Sequence, residues 1–178
     1  MLFRSPLIPR EVMGQLISFF RSFMDRRGEL EALAFIYWDR QEEEFVLHIP
    51  KQNASKAYIG YRMEEDALPE DRYLHYADIH SHNSMTAEFS AIDDADEKAT
   101  RLYLVMGRLD HFYPDISARV SCGGTFLNID PSDVIEGIGE EFPVEWLDRV
   151  ERSEPYQEGR KGSKENPLIS RCLKVILE

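Results

Sequence analysis

Cysteine is scarce in this sequence: Cys122 and Cys172 are the only two in 178 residues, and they form no CxxC pair. That excludes a disulfide scaffold and a cysteine zinc knuckle, and it fits a reducing interior. Positive charge is also short, with 21 Lys plus Arg against 33 Asp plus Glu and a net charge of −12. A surface of that sign repels phosphate backbones and anionic lipid, which argues against a nucleic-acid coat or a membrane-surface role. Long apolar runs are missing too, since none approaches the roughly 20 residues of a membrane span. The opening MLFRSPLIPREVMG lacks the apolar stretch and small-residue cleavage site of a signal peptide, so the expectation is a cytoplasmic protein. No internal repeat is visible, and 178 residues suit one domain with little left over.

What is present is a mixed pattern. Pro9 suits a first helical position, and Val12, Leu16, Phe19 or Phe20, and Phe23 recur at three-to-four spacing, predicting an amphipathic helix closed by Gly28. From Glu31 the period changes. ALAFIYW (32–38) is apolar on both alternating faces, as in a central strand covered on two sides, and DRQEEE (39–44) turns the chain into EFVLHIP (44–50) as its hairpin partner. SKAYIGYRM (55–63) alternates like a third strand, EEDALPED (64–71) is an acidic loop, and RYLHYADIH (72–80) is a fourth strand. AIDDADEKAT (91–100) opens with acids, as a helix N-terminus favours; RLYLVMG (101–107) and DISARVSC (115–122) read as strands, and Gly123-Gly124 leads into TFLNID (125–130). Beyond Pro131 the pattern weakens. SDVIEGI (132–138) and PVEWLDRVE (143–151) read as short helices, RSEPYQEGRKGSKENP (152–167) as a polar mobile segment, and LISRCLKVILE (168–178) as a helix or strand docking back or as a partner-binding tail. The boundaries drawn are a domain over 1–130, a helical extension over 131–151 and a flexible tail over 152–178.

Chemistry concentrates between Asp78 and Asp93. His80 and His82, two apart on an extended chain, point to one side, so both imidazoles can reach one cation, and Asp93 can supply an oxygen. Two nitrogens and a carboxylate leave a fourth tetrahedral position open, which is how a catalytic zinc is held, and such a metal brings the pKa of a bound water towards neutrality. Bland readings compete at each point. His80 alone suits an ordinary strand histidine, and Ser90 with Asp93 forms a capping box that needs no metal. The combination HxH-x7-S-x2-D is harder to dismiss: with 5 His, 13 Ser and 13 Asp in the chain, chance yields it in roughly one such sequence per thousand.

His80-Ser81-His82, seven residues, then Ser90 and Asp93 resembles the signature of the JAMM metalloproteases, the JAB/MPN domain family, in its bacterial or phage-type form. The resemblance covers about residues 8 to 130 and extends to the order helix, strand, hairpin partner, HxH strand, helix, strand. It implies a mixed α/β, cytidine-deaminase-like JAB/MPN fold in which helices flank a curved mixed sheet. It also implies a zinc-dependent hydrolase of peptide or isopeptide bonds, with a ubiquitin-like or sulfur-carrier protein as substrate. Carried over residue by residue, His80, His82 and Asp93 are the zinc ligands and Ser90 steadies the tetrahedral intermediate. The family's general base is a glutamate at the start of the first core strand; the candidates rank Glu31, Glu29, Glu11. The family usually has Pro after the second histidine, and Asn83 stands there, which is expected to leave the loop freer. No long insertion for gripping a ubiquitin chain is evident. The family also includes non-catalytic scaffolds and a relative associated with DNA metabolism, and these are the alternatives.

The remaining features take ordinary readings. His48, His75 and His111 suit surface or core-edge positions, Tyr37 and Trp38 suit the core, and Arg160-Lys161-Lys164 is too short a basic cluster for nucleic acid. Asp94, Asp96 and Glu97 favour a helix N-terminus through its dipole.

Overall fold

A computed structural model describes residues 6–25, 28–56, 59–61 and 68–138. The segments read above as 143–151 and 152–178, together with the first half of the loop 64–71, lie outside the described residues. The fold is mixed α/β and rich in strands. One six-stranded sheet has the order β10-β9-β8-β7-β3-β4, built from β3 (Leu33–Asp39), β4 (Glu44–His48), β7 (Tyr73–Ser81), β8 (Arg101–Gly107), β9 (Asp115–Cys122) and β10 (Thr125–Ile129). All neighbours are antiparallel except β7 and β8, which are parallel and joined through helix α2 (Ala91–Asp96), the crossover that a parallel pair requires.

Alternation in the central strands assigns the two faces. Ala34 and Ile36 of β3, Ala77 and Ile79 of β7, and Leu102, Leu104 and Met106 of β8 join the core with helix α1 (Arg10–Arg21). The helix meets them with Met13, Leu16, Ile17 and Phe20, all buried, at the i, i+3, i+4, i+7 spacing of a single stripe. Leu33, Phe35 and Tyr37 form a smaller cluster on the other face with Ile59, Leu68 and Tyr73. Because β3 is covered on both sides, its sequence is apolar at every position from Leu33 to Tyr37, all buried.

Three expectations need correction. The helix closes at Arg21 rather than Gly28, and Pro9 is its N-cap. Ser22 and Phe23 donate their N–H groups to Phe19 and Phe20 three residues back, which tightens and ends the last turn. Gly28 then belongs to a two-residue strand: β1 (Met24–Asp25) pairs with β2 (Gly28–Glu29). Of the strand expected at 55–63, the described part is β6 (Ile59–Tyr61), and it is one arm of a hairpin whose other arm, β5 (Gln52–Ala54), starts earlier than expected. Gln52 explains its placement, since its amide accepts from Leu33 N–H at 2.8 Å and donates to Leu33 C=O at 2.9 Å, standing in for a strand neighbour of β3. The helix expected over 132–138 is a single 3-10 turn, Pro131–Asp133, after which Ile135 bridges to Ile8 in parallel. Ile135 is 7% exposed and packs in the main core, so the packed domain continues past residue 130. No helix among the described residues is long and apolar enough to cross a membrane.

Candidate metal centre

The centre forms where β7 ends. His80 lies on the face of β7 opposite Ile79, and His82 follows the strand's last residue, its N–H donating to Met106 C=O at 2.8 Å in continuation of the pairing with β8. After His82 the chain turns sharply. Met85 N–H donates to His82 C=O, and the loop is held to the start of the β8–β9 connection by Arg108 N–H to Met85 C=O at 2.7 Å and Leu109 N–H to Asn83 C=O at 2.8 Å. It is therefore not the freer loop expected from the missing proline. Asn83 has φ 50°, a left-handed conformation that asparagine tolerates and that a proline ring, fixed near φ −65°, cannot adopt. Its side chain is fully buried, and neither amide atom has a hydrogen-bond partner among the described residues.

Helix α2 returns Asp93 to the two histidines. Ser90 is its N-cap, and the capping box expected from the sequence is present: Ser90 Oγ accepts from Asp93 N–H at 3.3 Å, and Asp93 Oδ2 accepts from Ser90 N–H at 2.6 Å. Capping and ligation do not compete. Asp93 uses Oδ2 for the cap, while Oδ1 stands 3.3 Å from His80 Nε2. The two Nε2 atoms are 3.1 Å apart, and donors of His80, His82 and Asp93 all lie within 4.8 Å of one another. Ligands about 2.0–2.1 Å from a tetrahedral zinc stand about 3.3 to 3.4 Å apart, so the spacing of this trio fits one ion. His80, His82 and Asp93 are the group among the described residues that could hold a metal.

Hydrogen bonding orients the second ring as well. His82 Nδ1 lies 3.2 Å from Thr86 C=O; a carbonyl only accepts, so Nδ1–H donates to it and Nε2 is the nitrogen turned towards His80. Burial pushes the His80 imidazole well below its ordinary pKa, against the opposing pull of Asp93, and keeps it neutral.

Glu31 precedes β3, whose Leu33 pairs with His80; Ala32 and Ser81 bond next to them, and Glu31 comes level with His82. It is 6% exposed and lines the same cavity as His80, His82, Ser90 and Asp93, a space of about 540 Å³. Burial, and secondarily the charge of Asp93, push its carboxyl up to about 7. Glu29 is elsewhere: it accepts a hydrogen bond from Ser84 Oγ at 2.9 Å and is not among the residues lining the cavity. Glu11 is exposed in the first turn of α1. Of the three glutamates, burial and position single out Glu31.

His48 and His75 pack against Phe35, and His75 contacts Asp78 and Arg101. Tyr37 is buried and Trp38 half-buried. Three residues that shape the site escaped the sequence reading: Thr86, Gly107 and Arg119. Only Arg119 left a trace, as a charge in the middle of an otherwise strand-like run. Comparison of the chain with protein-family models and with curated proteins found no match.

Proposed function

We propose that this protein is a zinc-dependent hydrolase of the JAMM type, on a JAB/MPN-like fold, that cleaves a peptide or isopeptide bond in a ubiquitin-like or sulfur-carrier protein. The observation that carries this reading is the gathering of His80, His82 and Asp93 at metal-ligand spacing in a cavity that Glu31 and Ser90 also line. The order of the two helices and the strands of the six-stranded sheet supports it: helix, strand, hairpin partner, HxH strand, helix, strand, with the small pairs β1-β2 and β5-β6 inserted between them.

His80, His82 and Asp93 would hold the ion. Bound there, zinc would polarise a substrate carbonyl and make water acidic enough to act as nucleophile near neutral pH. Glu31 takes the proton from the attacking water, a task suited to a buried carboxylate that lines the same cavity as the two histidines and Asp93. Ser90 Oγ accepts from Asp93 N–H and keeps its own proton to donate to the developing oxyanion. Glu31 then passes its proton to the departing amine as the C–N bond breaks, leaving an acid and a free amine with the carboxylate restored.

The test combines metal and activity. Protein purified without chelator or added metal should carry about one zinc per chain, and His80→Ala, His82→Ala and Asp93→Ala should each lower that occupancy. Glu31→Gln should keep its zinc and hydrolyse a ubiquitin-like or peptide-amide substrate about 100-fold more slowly or worse. Full zinc retention in all three ligand variants would remove the centre; wild-type turnover by Glu31→Gln would leave a non-catalytic scaffold.

A further inference from the structure

Asp93 sits on a helix with almost nothing apolar to hold it down. α2 has six residues and none is buried, and a helix of that length has no stability of its own in water. The ligand carboxylate nevertheless has to stay within tenths of an ångström of one place. Beyond the Ser90 cap, a buried side chain of the sheet supplies restraint. Arg119, on β9, is 4% exposed; its Nε donates to Glu97 Oε2 at 2.8 Å, its Nη2 stands 2.7 Å from the same oxygen, and its Nη1 donates to Asp94 Oδ1 at 2.6 Å. The guanidinium lies between two rings, 3.9 Å from the centroid of Phe89 and 3.8 Å from that of Phe126.

These contacts bracket the ligand along the chain. Phe89 directly precedes the Ser90 cap, Asp94 directly follows Asp93, and Glu97 closes the helix with its N–H on Asp93 C=O at 2.8 Å. A planar fork stacked on both faces fixes position and orientation together, which a lysine ammonium cannot do. A buried ion pair is weak evidence for stability in its own right, because an apolar replacement of the same shape often serves as well. Geometry at α2 is the better reason for this one.

We infer that Arg119 is a positioning residue for metal binding, holding Phe89, Asp94 and Glu97 so that the Asp93 carboxylate stays against His80 and His82. This rests on the metal-centre reading above. It is tested by zinc affinity, measured by chelator competition on the full chain, beside the melting temperature of each metal-free variant. Arg119→Lys should weaken zinc about tenfold or more, in the range found when groups behind a ligand are altered. Should Arg119→Lys fail to fold, Asp94→Ala decides, since that side chain is 55% exposed and its loss spares the core. Asp94→Ala should weaken zinc several-fold with little change in metal-free melting, while Asp96→Ala, which removes an equal charge from the same helix, should leave affinity within about twofold of wild type. In an Asp93→Ala background the effect of Asp94→Ala should vanish, an outcome that general loosening of the fold would not give. Unweakened zinc in Asp94→Ala, or a loss that persists without Asp93, would overturn this inference and leave the centre standing; a wild-type chain that takes up no zinc would overturn both.

Discussion

A carboxyl enclosed beside a second carboxylate costs the fold energy at neutral pH, and Glu31 is held in that position. Its pKa in the fold is about 7 against an ordinary 4.5, raised first by burial and then by Asp93. The sign of the consequence follows from linkage. A raised acid pKa leaves no penalty below about 4.5, a growing one between 4.5 and 7, and the full penalty above 7. In metal-free protein, Glu31→Gln should therefore be more stable than wild type at pH 8, by on the order of 2 kcal/mol, and the difference should close as the pH falls towards the ordinary carboxyl value. Thermal melts in chelator at two pH values read this directly. A variant no more stable than wild type at pH 8 would mean that Glu31 is well solvated and is not tuned for proton transfer. Stability spent in this way is characteristic of a functional position.

Among the elements, the loop between β7 and α2 depends on a residue of neither. A Cβ added to Gly107, at the end of β8, would stand 2.4 Å from Met85 O, 2.5 Å from Ala87 N and 2.6 Å from Thr86 C. All three are backbone atoms of the loop whose Thr86 carbonyl orients His82, so the strain cannot be relieved by turning a side chain. Gly107→Ala should push that loop off β8, costing about 1 to 3 kcal/mol as overpacking does, and should weaken zinc by about 10- to 100-fold through the lost orientation of His82. Gly14→Ala is the matching control. It lies inside α1 with nothing within 4 Å of the added carbon, so it should leave zinc binding unchanged and raise stability by up to about 1 kcal/mol. Equal zinc affinity in Gly107→Ala and wild type would show that the loop has another seat.

These two glycines also mark what a sequence can and cannot disclose. The strands Arg101–Gly107 and Asp115–Cys122 have the bounds expected of them, because each is a sustained strand-forming run ended by glycine or a glycine pair. His80, His82, Ser90 and Asp93 were legible because period-two alternation and the capping box are local, fixed by residues a few positions apart. The hairpin at Gln52–Ala54 and Ile59–Tyr61 was not. It is placed by a side-chain amide imitating a strand, and that bond forms with Leu33, far back in the chain. The last residue of the helix is likewise fastened from far along the chain: the Arg21 guanidinium donates to the carbonyls of Leu109, His111 and Phe112. Gly107 and Arg119 matter through contacts with residues distant in the chain, which periodicity does not carry, and Thr86 through a backbone carbonyl, which its residue type does not disclose.

At the scale of the whole molecule, the proposed ligands and base come from three places: Glu31 before β3, the histidines at the end of β7, and Asp93 on α2. The unfolded chain has no such site, so an ion bound by the fold stabilises it by RT ln(1 + [L]/Kd), about 2.7 kcal/mol when free zinc is a hundredfold above Kd. For a domain of this size 1 kcal/mol moves the melting temperature by roughly 2 to 4 °C or somewhat more, so removing zinc should lower it by about 5 to 10 °C, reversibly on re-addition. The same chelator should have little effect on Asp93→Ala, which has already lost a ligand. Glu31→Gln should show a larger metal-free stability at pH 8 together with a smaller gain from zinc, because replacing the carboxylate relieves its burial and takes a negative charge away from the ion. Melting temperatures of wild type, Asp93→Ala and Glu31→Gln, with and without chelator, therefore separate a ligand from a base without any substrate in hand. A chelator shift equal in all three proteins would mean that the ion stabilises the chain somewhere other than at His80, His82 and Asp93.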